Sequence, residues 1–483
     1  MKISDTLTGK KTDFKPLRHT VTMYVCGINP YADSHIGHAM SYIIFDVVRR
    51  HLEFRGYPVK HVENVTDVED NIINHANRLG ITVKELTEKY TDRYFEDMAA
   101  LNILKPHFTP KATETIPEIV NMTKVLIEKG FAYPVGGNVY YRVKKLDDYG
   151  KLSKRDPEQM MSGTRIEASE EKEDPMDFAL WKEAKPGEPS WDSPWGQGRP
   201  GWHIECSAMS MKFLGEQIDI HGGGQDVVFP HHENEIAQSE SFTGKKPFVQ
   251  YWLHNGLLQL GSEKMSKSLG NLITIRDALK TYTADGLRIF VLSSYYRSPL
   301  TYTRESMDAA QAGADRLQRV AAKDTSKGTS DVLSTDPYYH KFVDAMDDDF
   351  NTPQAIATLF DLGRDINRAE EEGKDVEGAR QMLKKLGGVL GLTFKAREAA
   401  PLDVVPLQML AATIYDKVKA ANVGITAAAI PGDADAVMAL LISLRKDLRK
   451  ARQFQLADEL RNGLTAIGIT LEDTPQGTNW KRK

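Results

Sequence analysis

A strand, a helix and a second strand in unbroken succession constrain the fold of this chain more than any other stretch. Val21, Met23 and Val25 alternate over residues 20–26, the period-two pattern of a half-buried strand. Met40, Ile43, Ile44, Val47, Val48 and Leu52 then recur at helical spacing, and Gly56 ends the run. A second apolar-rich stretch, residues 59–65, follows at once. A crossover of this kind joins parallel strands. We therefore expect an α/β fold with a Rossmann-like parallel sheet. Such sheets bind ligands beyond the carboxyl ends of their strands. His35-Ile36-Gly37-His38 falls at that place, between the first strand and the helix.

The residue types there suit phosphate. A helix N-terminus offers unpaired N–H groups and the positive end of a dipole. Two imidazoles three residues apart add hydrogen bonds as charge moves during transfer. Gly37 lets a nucleoside approach the backbone closely. Far downstream, Lys264-Met265-Ser266-Lys267-Ser268 sets two ammonium groups around small hydroxyl residues, on a loop flanked by Gly261 and Gly270. Such a loop can close on a triphosphate and neutralise it at the transition state. The two strings, in this order, resemble the signature motifs of class I aminoacyl-tRNA synthetases. That resemblance implies ATP bound for adenylate transfer, with His35, His38, Lys264 and Lys267 catalytic and Gly37, His35, His38 and Lys267 on the nucleotide.

The remainder of the 483 residues suggests several domains. From about 126 to 200 the charged run 167–174 and the Pro/Gly/Trp-rich stretch 186–201 read as an insertion into the nucleotide fold. Short strands at 218–229 and 251–260 would supply the second half of the sheet. Helical periodicity then dominates at 309–323, 355–368, 374–390 and 407–422, with a polar loop at 324–336. These patterns place a catalytic domain at 1–310, with its signature loop at 264–268. A helical domain is placed at 311–425, and a small C-terminal unit at 435–483.

Net charge is −5, so any nucleic-acid surface must be a local patch rather than a property of the whole chain. Arg445, Lys446, Arg449, Lys450 and Arg452 form one such patch, suited to phosphate contacts or simply to a solvated helix face. Trp480 would stack on a base or cover the domain. No apolar h-region follows Met1, and no run approaches a membrane span, so we expect a cytoplasmic protein.

Two cysteines cannot form a disulfide framework. Cys26 ends the first strand, and Cys206 lies in Gly201-Trp202-His203-Ile204-Glu205-Cys206. Pro230-His231-His232-Glu233-Asn234-Glu235 opens a helix-like segment, with His231 and Glu235 four apart on one face. Two thiolates, an imidazole and a carboxylate make a plausible zinc set. Spacing leaves open a pairing of His232 with Glu235, and buried apolar cysteines remain the alternative reading.

The chain resembles the bacterial cysteinyl-tRNA synthetase family over essentially its whole length. The matching strings are Met23-Tyr24-Val25-Cys26-Gly27, residues 35–38, Asn64-Val65-Thr66-Asp67, Pro175-Met176-Asp177-Phe178 and Leu180-Trp181-Lys182. They continue at 200–206, 221–226, 229–235, 263–271 and 346–353, and at Ala457-Asp458, Gly468-Ile469 and Leu471-Glu472-Asp473. The resemblance implies one zinc ion on Cys26, Cys206, His231 and Glu235. It implies an amino-acid pocket at Thr66, Trp202 and Asp226, Mg²⁺ with ATP, L-cysteine and tRNA(Cys) as partners, and a monomer. The tail would be a helical domain and an anticodon-binding unit. Two stretches depart from the family: Ile28-Asn29-Pro30-Tyr31, and Glu69-Asp70-Asn71 where the family has Asp-Asp-Lys. The competing expectations are a ligase that passes cysteine to a small amine such as an amino sugar, an inactive RNA-binding paralogue, and a zinc hydrolase. The last leaves both ATP motifs unexplained.

Overall fold

The computed structural model describes residues 1–155, 171–261, 263–264, 272–323, 332–396, 402–474 and 477–482. Four parallel strands form the central sheet in the spatial order Val249–Asn255, Ile218–Gly224, Val21–Ile28, Val59–Val65. Chain order therefore reverses between Val21–Ile28 and Ile218–Gly224, where a crevice opens outside the carboxyl ends of the strands.

The first strand is buried on both faces, not half-buried as its alternation suggests. Val21, Met23 and Val25 join one apolar cluster and Tyr24 joins another on the opposite face. Thr22 is tolerated inside because its N–H and hydroxyl both donate to the Asp219 carboxylate, at 2.8 and 2.7 Å. Covering both faces is the usual state of parallel strands.

The helix Ile36–Phe54 lies on the first of these faces and brings Phe45 against the next strand. A Cβ placed on Gly222 would sit 2.1 Å from the Phe45 ring. Gly222 is thus needed for helix-on-sheet packing. Gly222→Ala should destabilise the fold by about 1–3 kcal/mol through overpacking. Urea denaturation would register this, and an unchanged midpoint would refute the close packing.

Between the second and third strands of the sheet the chain builds a separate antiparallel sheet. Its order is Ala132–Val135, Asn138–Tyr141, Phe178–Glu183, Gly198–Pro200. Its own core includes Ile119, Val139, Tyr141, Leu180 and Trp181. The chain returns through the helix Trp202–Leu214, which carries Cys206 to the sheet. An N-terminal hairpin, Lys2–Asp5 with Lys10–Asp13, was not apparent from periodicity.

After the sheet come the helices Arg304–Ala322, Asp336–Asp347, Thr352–Glu371 and Glu377–Val389. The helix at Asp336–Asp347 had no clear periodic signal. One apolar cluster runs from Met23 and Phe45 through Leu287 and Leu317 to Leu359 and Leu383. Arg288, fully buried, ties these layers together. Its guanidinium meets Asp46 at 2.5 Å and the carbonyls of Leu101, Asn102 and Leu390 at 2.7, 2.8 and 2.9 Å.

The chain divides into two compact units, Met1–Ala396 and Arg397–Lys483. In the second, the helices Val404–Ala420, Ala434–Lys450 and Phe454–Ala466 pack with the hairpin Ile469–Thr474 and Gly477–Arg482. The first of these helices belongs here because Leu407, Ala411, Ile414 and Val418 face Leu441, Leu448 and Leu460. Arg445 is 5% exposed, and both its terminal nitrogens donate to the Asp473 carboxylate at 2.8 Å. It is an internal strut, so the basic patch loses one of its five expected members. Trp480 packs against the unit's apolar core. Among the described residues no helix is long and apolar enough to cross a membrane.

Candidate functional site

The first signature string is a self-capped helix start. The Nδ1 of His35 accepts the N–H groups of Gly37 (3.1 Å) and His38 (3.3 Å), and His38 Nδ1 accepts the N–H of His35 at 3.3 Å. The two rings stack with centroids 3.7 Å apart. A Cβ on Gly37 would lie 2.9 Å from the His35 ring, so glycine here is required by the cap itself. Histidine thus takes the role usually given to Ser, Thr, Asp or Asn at this position.

This start is stitched to the segment that follows the second signature string. The Ile36 N–H donates to the Ile273 carbonyl at 3.0 Å, and the Ile275 N–H donates to the Ser34 carbonyl at 2.9 Å. On its other side, the strand Leu258–Leu260 pairs with Glu263–Lys264. Residues more than 200 positions apart in sequence therefore sit side by side. Lys264 ends that short strand; Lys267 lies outside the described residues.

Four donors converge at the switch point of the sheet. Cys26, Cys206, His231 and Glu235 each place one ligand atom within 4.8 Å of the others. Cys26 Sγ is 3.9 Å from Cys206 Sγ and 3.7 Å from Glu235 Oε1, and His231 Nε2 is 3.1 Å from the same oxygen. Cys26 arrives on the first strand, Cys206 on the helix after the insertion. His231 arrives on the wide turn Val228–His232, just before the helix Glu233–Thr243 that carries Glu235. A second set, Cys26, His221, His232 and Glu235, satisfies the same criterion and shares two members. Here His232 Nε2 lies 3.1 Å from Cys26 Sγ, and His221 Nε2 lies 2.9 Å from Glu235 Oε2.

The electrostatics match a cation-binding nest. Burial opposes the Glu235 charge, but His221 and His231 more than offset it and hold the carboxyl at about 2. Contact with Cys26 brings the Cys206 thiol down to about 6, against burial. Burial pushes the Cys26 thiol up, as does the neighbouring Cys206. Cys206, His231 and Glu235 are buried and Cys26 is partly buried, so a charge left unpaired there is costly.

Around the cluster lie further histidines, of which sequence reasoning weighed only His232. His203 Nδ1 meets His231 Nδ1 at 3.0 Å. His232 Nδ1 meets His254 Nε2 at 2.8 Å, and His254 Nδ1 meets Thr6 Oγ1 at 2.8 Å. Contacts of this kind orient imidazoles and fix their tautomers. The signal for His254 is its place near the carboxyl end of the strand Val249–Asn255, the end where parallel strands bind ligands.

The expected pocket residues are placed unequally. The Trp202 ring stacks on His231 with centroids 4.5 Å apart and remains 37% exposed. Thr66 is buried, its hydroxyl accepting from the Asn64 amide at 3.1 Å. Asp226 is exposed on the short turn Gln225–Val227 that leaves the His221 strand. Beside the cluster, a cavity of about 400 Å³ is walled by Trp202, His203, Phe229, Asp70, Lys182 and Arg199. At the departure from the family pattern, Asn71 donates its amide to Glu69 at 2.7 Å, while Asp70 pairs with Lys182 at 2.8 Å and with Arg199.

Comparison with known proteins agrees with these features. The family described as tRNA synthetases class I (C) catalytic domain matches residues 13–312, and the DALR domain matches 341–395. A protein of Dehalococcoides mccartyi named cysteine–tRNA ligase is 55% identical over 485 residues, covering all of both chains. One of the same name from Geobacter sulfurreducens is 47% identical, again over all of both. The structure of Mycobacterium tuberculosis methionyl-tRNA synthetase with methionyl-adenylate is similar in fold. Its TM-score is 0.56 at 15% identity, covering 77% of this chain and 90% of that one.

Proposed function

Since the chain belongs to the cysteine–tRNA ligase family of class I tRNA synthetases, we propose that it activates L-cysteine with ATP and passes the cysteinyl group to the 3′-terminal adenosine of tRNA(Cys). The observation that carries the cysteine half is the convergence of Cys26, Cys206, His231 and Glu235 beside Trp202. Two sulfurs, one imidazole and one carboxylate fit zinc in number and softness. This set is favoured over the one with a single sulfur, which leaves His221 and His232 to orient Glu235 and Cys26 from outside. Cys26, Cys206, His231 and Glu235 would hold a zinc ion, which would supply a bond to the substrate sulfur that a serine hydroxyl makes poorly. Such selection exceeds the roughly 1–3 kcal/mol available from an apolar pocket.

In the first step the cysteine carboxylate attacks the α-phosphate of ATP, and pyrophosphate leaves. His35 and His38 sit where the phosphates of a nucleotide over the sheet would lie, at the amino end of a helix. Together with Lys264 and Lys267 they would neutralise the leaving pyrophosphate, ATP entering as its Mg²⁺ complex. Thr66, Trp202 and Asp226 would surround the amino acid. In the second step the terminal 2′-hydroxyl of the tRNA attacks the carbonyl of the adenylate, and AMP leaves. The cavity beside Trp202 offers room for that terminus. The second compact unit, with its Lys446, Arg449, Lys450 and Arg452, gives tRNA more to hold than a small amine would need. The enzyme would work in the cytoplasm as a monomer.

Cysteine-dependent exchange of pyrophosphate into ATP, followed by charging of purified tRNA, tests this reading. Both reactions are expected. Absence of exchange would mean an inactive paralogue, and exchange without charging would mean a small-amine ligase.

A further inference from the structure

We propose that the cavity between the edge strand Val59–Val65 and the helix Val83–Ala100 is a binding site for a small apolar ammonium compound, anchored by the Glu63 carboxylate. The cavity measures about 210 Å³ and is lined by Glu63, Tyr94, Met98, Ile103, Leu104 and Lys105 among others. It is separate from the Cys/His/Glu cluster and from the cavity beside Trp202, sharing no lining residue with either.

Its walls and its floor differ in kind. The walls are apolar side chains of the helix and of the loop that follows it. The floor holds a carboxylate that is only 4% exposed. Burial pushes the Glu63 carboxyl up to about 7, and the Tyr94 hydroxyl, which donates to it, offsets this in part. No cation is placed to complete the pairing among the influences acting on Glu63 in the described residues. Lys105 stands exposed at the rim, where solvent screens it. A buried carboxylate is at its most favourable when a charged donor meets it.

The cavity size sets the body of the ligand. Cavities of about 150 Å³ lined by apolar side chains accept a benzene ring in other proteins. An aralkyl ammonium compound of ring size would therefore place its ring among Met98, Ile103 and Leu104 and its ammonium on Glu63. The site also adjoins the helix Ile36–Phe54. The Tyr94 ring packs edge-on against Tyr42, with centroids 5.2 Å apart. Tyr42 lies on the helix that begins with the capped pair His35 and His38.

Titration of the full-length chain with benzylammonium, followed by calorimetry, tests the assignment, with benzyl alcohol as the neutral probe of the same shape. Saturable binding about tenfold or more tighter for benzylammonium than for benzyl alcohol is expected from a charge-assisted bond. Glu63→Gln should remove that preference. Ala99→Trp, which fills the cavity from its exposed rim and leaves the carboxylate in place, should abolish binding of both probes, and it carries the test alone if Glu63→Gln does not fold. Equal binding of the two probes, no binding of either, or unchanged binding by Ala99→Trp would each overturn the proposal.

Discussion

Replacing Cys206 with serine is expected to strip the bound metal and to lower cysteine-dependent pyrophosphate exchange by about a hundredfold or more. Loss of a residue that merely orients a metal ligand already costs about 10–100-fold, so loss of a ligand should cost at least as much. The reason lies in the ionisation of the site. The Cys206 thiol is held down at about 6, chiefly by its contact with Cys26. That lowering favours the thiolate, the form that binds a soft cation. A serine hydroxyl stays protonated there and cannot replace it. The substitution is nearly isosteric, and Cys206 contributes little volume to its apolar cluster, so the fold should persist. Elemental analysis would give metal content, exchange would give activity, and thermal melting would report the fold. Full metal content with full exchange would remove Cys206 from the proposed ligand set. Loss of metal with intact exchange would separate the metal from the chemistry.

Arg288→Ala should destabilise the first unit by about 3–5 kcal/mol, the usual consequence of deleting one partner of a buried ion pair. Arg288 meets Asp46 and three backbone carbonyls, those of Leu101, Asn102 and Leu390. Its removal takes a donor from all four of these acceptors, of which the Asn102 carbonyl keeps Arg50 at 2.7 Å. Asp46 keeps Arg50 at 2.8 Å and the Leu104 N–H at 2.9 Å, but loses the cation buried beside it. Lysine should recover only part of the loss, because one ammonium cannot reproduce a planar fork that reaches four acceptors. Urea denaturation with tryptophan fluorescence would measure the change. A loss below about 1 kcal/mol, the scale of an exposed pair, would contradict the role drawn for this residue.

The legibility of the fold followed the range of the physics involved. The strand and helix over residues 20–54 were readable because helical and strand periods are local. The burial of the first strand on both faces was not, since Thr22 is made tolerable by Asp219, nearly 200 positions away. Helix Asp336–Asp347 carries no clear local period because it is polar and short, and its apolar residues Phe342 and Met346 matter only against the neighbouring helices. Arg445 read as a surface cation because nothing local marks Asp473 as its partner.

The candidate site divides in the same way. The two signature strings are legible as short patterns of reactive side chains that match a family, whereas the scattered set Cys26, Cys206, His231 and Glu235 is legible only through the resemblance, spacing alone leaving His232 open. By itself the sequence determined the inventory of that chemistry and the class of fold able to use it. Only the tertiary structure decided how the inventory is arranged. It joined residue 36 to residue 273, brought His221 to Glu235 and His203 to His231, and made Gly37 a requirement of a histidine cap. These contacts arise from strand order in a parallel sheet whose chain reverses direction at the crevice. No local pattern encodes that order, which is set by how all the apolar faces are buried at once.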